Sequence, residues 1–178
     1  MTGDISGVRR AAGTAWVQAA VLAGAQLAVG SAWGRPDDPA YYRALEQAPF
    51  APPSWVFGPA WVIAKSGTSY AAVRTLRGQC RGKGRLLTLF AADAAVFVTF
   101  SYVYFRRRSP VLAAVWTVAD AALTAVLLAD LARQDSIAAA AVAPQAAWLS
   151  LAAPTAVWQA ATNPDPLLGT PALTGSHA

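Results

Sequence analysis

Residues 48–61 read APFAPPSWVFGPAW, four prolines and four aromatic residues within fourteen positions. Pro49, Pro52, Pro53 and Pro59 each remove a backbone donor and fix φ, a poor beginning for a helix in water. A loop would leave Phe50, Trp55, Phe57 and Trp61 without burial. The stretch makes sense only once the solvent around the chain is known, and composition supplies that.

Of the 178 residues, 56% are hydrophobic and 13% charged, about half the charged share of an ordinary soluble domain. Five segments, 14–34, 55–73, 86–105, 111–130 and 137–161, are bounded by charge, Pro or Gly, and each has roughly the 20 residues that cross a hydrocarbon core. VLAGAQLAVGSAW and IAAAAVAPQAAWLSLAAPTAVW lack the polar stripe at 3.6-residue spacing that a helix on a soluble bundle needs. The fold class expected is therefore all-α, an integral membrane bundle of five transmembrane helices forming one domain over 1–163, with residues 164–178 a flexible tail outside the membrane. Arg9 and Arg10 before an apolar run imitate a secretory signal, but 14–34 exceeds the roughly 7–15 residues of a signal core and is taken as a retained helix.

Trp16, Trp33, Trp55 and Trp158 fall at the predicted ends, where an amphipathic ring suits the headgroup level; Trp61, Trp116 and Trp148 fall inside. Arg9, Arg10, Arg74, Arg77, Arg81, Lys83, Arg85 and Arg133 share one side, against Arg35, Arg43, Arg106, Arg107 and Arg108 on the other. This excess favours a cytoplasmic N-terminus. The net charge of +5 is read as loop anchoring beside anionic lipid, not as a nucleic-acid surface, since no aromatic-interleaved basic domain accompanies RGQCRGKGR. Cys80 is the sole cysteine and His177 the sole histidine, which excludes a disulfide framework, a thiolate cluster and a His-based metal site or triad.

In lipid the opening stretch acquires a mechanism. Pro52 and Pro53 stop any earlier helix, and Ser54 is placed to cap the next one. Pro59, inside the second helix, denies a partner to the carbonyl of Trp55, so a bend is expected. Trp55, Phe57 and Trp61 would then furnish flat apolar walls beside an embedded cavity. The residues alone also allow these rings to be interface belt and interhelical packing.

PPSWVFGPAW resembles the proline and tryptophan signature of the TspO/MBR family, the tryptophan-rich sensory proteins related to translocator proteins and peripheral benzodiazepine receptors. YYRALEQAPFAPP is similar to that family's lead-in, with Tyr42, Leu45, Pro52 and Pro53 in place; FRRRSP resembles its basic turn between helices three and four, and APQAAWLSLA its last helix, with Pro144 and Trp148. The resemblance covers about 30–163. It implies a cavity for a hydrophobic planar ligand, a porphyrin or haem-related tetrapyrrole, with no obligatory cofactor, and a sensor or regulator role. Light-dependent porphyrin breakdown and small-molecule transport are the alternatives. The family's cholesterol motif has no counterpart after Trp158. Departures fall where a ligand would be felt: Tyr41 stands for a Trp, Gln47 for a Lys, Gln145 and Lys65 each for a Tyr, and Asp93 and Phe97 for a Gln and an Asn.

Lys65, Asp93 and Asp120 are the ionisable residues deepest in the predicted spans, and each such group in hydrocarbon costs at least about 2.5 kcal/mol. Counting roughly 1.5 Å per residue puts all three near the midplane, about 16, 12 and 15 Å from their entry faces. Lys65 is expected to pair with Asp93, Asp120 or both. Two acids with one base leave surplus negative charge unless one acid holds a proton. The ligand-binding set expected is Tyr42, Trp55, Phe57, Trp61, Lys65, Asp93, Phe97 and Trp148, under a gating lid of residues 35–54. Ala20, Gly24 and Ala28 form a small-residue row on the first helix that suits close packing within the monomer or in a homodimer. The Ala and Arg bias points to a bacterial cell membrane.

Overall fold

The computed structural model describes residues 5–34 and 38–173. Arg35, the lid residues 35–37 and the tail from 174 onward, with His177, lie outside the described residues, as do the side chains of Arg9 and Arg10. The chain forms α1 (Ile5–Ser31), α2 (Asp38–Ala44), α3 (Ser54–Arg77), α4 (Lys83–Ser101), a π-helical turn (Tyr102–Arg106), α5 (Pro110–Ala132) and α6 (Ser136–Thr162). The five long helices close a ring in the order α1, α3, α6, α5, α4, and α2 is the short helix of the lid.

Local chemistry sets most boundaries. Ser109 is extended and accepts from the Leu112 amide ahead of Pro110 in the first turn of α5, a placement that costs no hydrogen bond because that first N–H has no helical partner. Asp135 accepts from the Ile137 and Ala138 amides at the start of α6. Gly82 takes φ +64° to start α4. The cap of α3 differs from expectation: Pro53 occupies that place, no side chain caps the helix, and Ser54 is already its first residue. The preset φ of proline orders this end without a hydroxyl.

Polarity is distributed inside out. Val21 is 68% and Ile63 60% exposed, whereas Lys65 and Gln145 are 0% and Asp93 1% exposed. Water would reverse that preference; a hydrocarbon surround produces it, because polar groups then find partners only inside. α4 with its π turn, α5 and α6 are each long and apolar enough to cross a membrane. α1 and α3 have 27 and 24 residues; α3 is less apolar because Lys65, Thr68, Ser69 and Thr75 line its inward face.

The end of the bundle near the α3–α4 and α5–α6 turns is solid. Ala71, Leu86, Phe90, Leu127, Leu131, Ala138, Ala139 and Val142 fill it. Gly67 is essential to this packing, since a Cβ there would collide with the Ala141 carbonyl across the α3–α6 contact. The row Ala20, Gly24 and Ala28 does not serve as the packing face of α1: all three are exposed and a Cβ on Gly24 would meet nothing. α1 lies on Val73 and Tyr70 through Ala15 and Ala19 instead, a row rotated by one position. The tail expected to be flexible carries a built turn over its first part. Asp165 Oδ2 accepts from Ser109 Oγ at 2.5 Å and from the Val111 amide at 3.0 Å, and Oδ1 accepts from the Leu167 and Leu168 amides. Burial pushes the Asp165 carboxyl up, but these donors outweigh it and hold it below the usual carboxylate range.

Candidate functional site

At the lid end the helices part around a cavity of about 890 Å³. Its walls come from every long helix and from α2: Leu27 and Gly30 of α1, Tyr42 of the lid, Phe57 and Trp61 of α3, Phe97 and Phe100 of α4, Thr117 of α5, and Trp148 and Gln159 of α6. The π turn places Tyr104 and Phe105 on the same wall. Such a turn admits an extra residue into the helix and is frequent at functional positions.

The rings meet edge to face. Phe57 and Trp148 are 5.2 Å apart at 89°, Trp61 and Trp148 6.2 Å at 78°, and Tyr42 and Phe57 6.2 Å at 72°. This arrangement satisfies the ring quadrupoles while leaving several flat faces for a guest. Phe57, Trp61 and Lys65 are spaced by four on α3 and share a face; Trp55, two positions from Phe57, is turned nearly to the opposite side. Accordingly Trp55 is 74% exposed and is no part of the cavity wall. The rings that line the cavity from α3 and α6 are Phe57, Trp61 and Trp148.

Lys65 and Asp93 lie beneath the wall rather than on it. Lys65 Nζ is 3.0 Å from Asp93 Oδ2, so between the two acids considered it pairs with Asp93. The ammonium also sits 4.7 Å from the Phe97 ring centroid and 5.6 Å from that of Trp61, a cation–π arrangement with the rings above it. Of the eight residues predicted, five line the cavity, two form the ion pair under its floor and one faces outward.

Sequence reasoning missed the fastening of the lid. Asn163 accepts from the Glu46 amide at 2.7 Å and donates to the Glu46 carbonyl at 3.0 Å. Gln159 Nε2 donates to Gln47 Oε1 at 2.5 Å, and Tyr104 Oη donates to Gln159 Oε1 at 2.9 Å. A cavity-wall glutamine thus joins the lid to the π turn. Tyr41 adds an edge contact to Tyr104 at 5.8 Å and lies under Arg108. Burial, with Asp165 nearby and Arg108 opposing, pushes the Tyr41 hydroxyl up to about 12. The available signal was the polar pair Gln159 and Asn163 at the end of an apolar helix, four apart on one face.

The lining is mostly apolar and aromatic. Among the described residues, no cluster of His, Cys, Asp or Glu could hold a metal ion. The model of the TspO/MBR family matches residues 12–158, which span the cavity-forming helices. No individual curated protein matches the chain.

Proposed function

The chain belongs to the TspO/MBR family, and from that premise we propose that it crosses the bilayer five times and binds a hydrophobic planar molecule of tetrapyrrole type, acting as a membrane sensor or regulator. The observation that carries this reading is the cavity of about 890 Å³ walled by Phe57, Trp61, Phe97 and Trp148. Its size falls within the range of small-molecule sites, and its lining is aromatic with few polar groups, as such sites are. α1 and α3 complete the five spans, with Gln26 of α1 and Lys65, Thr68, Ser69 and Thr75 of α3 turned inward where the other helices shield them. The lid segment, fastened through Gln47 and Asn163, contributes Tyr42 to the cavity wall.

Titrating the detergent-solubilised protein with a porphyrin panel while following tryptophan fluorescence tests the reading. Saturable quenching that weakens in Trp148→Ala supports it. Quenching that no cavity substitution alters refers the signal to the surface tryptophans and defeats it. Illumination of the bound complex, followed by absorbance, separates a sensor from a porphyrin-degrading enzyme, and flux in proteoliposomes separates it from a transporter.

A further inference from the structure

Four helices each place a polar residue one turn below a cavity-wall residue: Lys65 below Trp61 on α3, Asp93 below Phe97 on α4, Asp120 below Thr117 on α5, and Gln145 below Trp148 on α6. Spacings of three or four put each pair on one helix face, so a polar layer underlies the aromatic floor. Lys65 Nζ donates to Asp93 Oδ2 at 3.0 Å. Gln145 Nε2 donates to Asp93 Oδ1 and, at 2.8 Å, to Thr124 Oγ1, and stands 3.5 Å from Asp120 Oδ1. Thr68 Oγ1 donates to Gln145 Oε1 at 2.7 Å. The ionisable groups meeting here are Lys65 from α3, Asp93 from α4 and Asp120 from α5, while α1 contributes Gln26, bound to Ser69, and α6 contributes Gln145.

The charges do not balance. One ammonium faces two carboxyl groups, and Lys65, Asp93 and Asp120 are 0%, 1% and 3% exposed. Lys65 and Gln145 already donate to Asp93, one to each oxygen. The ammonium is hydrogen-bonded to Asp93, and Asp120 meets the layer through the Gln145 amide that also serves Asp93. Two carboxyl groups gathered around one amide and one ammonium, out of water, resist being ionised together. A proton on Asp120 leaves one ammonium facing one carboxylate and neutralises the layer.

We infer that Asp93 and Asp120 form a buried proton-binding site, with Asp120 the protonated member, and that this proton is linked to occupation of the cavity above it. The second half rests on the cavity being a ligand site, as proposed above. Coupling runs through Lys65, whose ammonium bonds Asp93 of the acid pair and lies 4.7 and 5.6 Å from the ring centroids of Phe97 and Trp61. Removing the proton leaves a net negative charge under the floor, which draws the ammonium away from the rings and repels an anionic guest. The protonated layer therefore binds a carboxylate-bearing planar ligand more tightly, and by linkage that ligand recruits the proton.

Two measurements test this. Infrared spectroscopy of the ligand-free protein at neutral pH is expected to show a protonated-carboxyl band that Asp120→Asn removes. A missing band, or one indifferent to that substitution, overturns the proton site whether or not any porphyrin binds. So does a sodium-dependent stability in place of the band, since sodium would then supply the missing charge. Affinity for protoporphyrin IX is expected to fall by about tenfold per pH unit on the alkaline side of the titration, and to be flat in Asp120→Asn at its low-pH value. A wild-type affinity equally flat overturns the linkage. Failure of protoporphyrin IX to bind at any pH overturns the cavity reading and the linkage together, while the infrared band still upholds the proton site.

Discussion

The two ends of this bundle are made from the same five helices but packed on opposite terms. Toward the α3–α4 and α5–α6 turns, Ala71, Ala138, Ala139 and Gly67 let the backbones approach until Leu86, Leu127 and Leu131 fill the remaining space. Toward the lid, Phe57, Trp61, Phe97 and Trp148 brace the helices apart and enclose a hollow. Side-chain volume decides which end is solid, because interiors have no tolerance for voids at close-packed positions. Between the ends lies the polar layer of Lys65, Asp93, Asp120 and Gln145, where the two regimes meet.

The largest effect should come from that boundary. Lys65→Met leaves two buried acids without a cation and is expected to cost about 3–5 kcal/mol, the usual penalty for breaking one side of a buried pair. Thermal unfolding in detergent measures it, and adding Asp93→Asn should restore a substantial part of the loss. Purely additive losses would show that the layer does not act as a unit. The solid end should respond next: Gly67→Ala forces α3 from α6 at the Ala141 carbonyl and is expected to lower stability by about 1–3 kcal/mol. A neutral outcome would mean that the close approach is slack and the contrast between the ends overstated.

At the hollow end the expected change is in binding with little change in stability. Trp61→Ala should weaken porphyrin affinity by about tenfold, roughly 1.4 kcal/mol, while Trp55→Ala, outside the wall, should leave it within about twofold. Equal losses for the two would place the ligand on the surface. The smallest effect concerns Asp165, beneath the lid-side entry of α5. Its folded carboxyl titrates below the unfolded value, so its contribution is present above about pH 3.9 and is lost as pH falls through the folded value. Asp165→Asn should flatten the acid limb of the unfolding midpoint against pH; an unchanged limb would show that its hydrogen bonds do not favour the charged form.

How far the sequence reached is clearest residue by residue. The depth count that brought Lys65 and Asp93 to one level needed only helical rise and the span boundaries, and the two do meet. The choice between Asp93 and Asp120 was not legible, since it depends on the rotation of α4 and α5 about their axes. Rotation also misplaced Trp55 and moved the packing row of α1 from Ala20 and Gly24 to Ala15 and Ala19. Asn163 and Gln159 went unnoticed because their partners, Glu46 and Gln47, lie more than a hundred residues earlier. The turn around Asp165 was hidden in a proline-rich stretch whose composition resembles disorder.

The sequence by itself determined the solvent, the helical class, the family resemblance and the presence of costly ionisable groups deep in apolar segments. Those follow from composition, length and local pattern, which survive any arrangement of the helices. Only the tertiary structure decided which faces turn inward, which acid receives the ammonium, and that the aromatic residues stand apart around a hollow instead of closing on one another. Each of these depends on helix rotation and on contacts between distant segments, and a 3.6-residue repeat in a chain apolar on nearly every face leaves both undetermined.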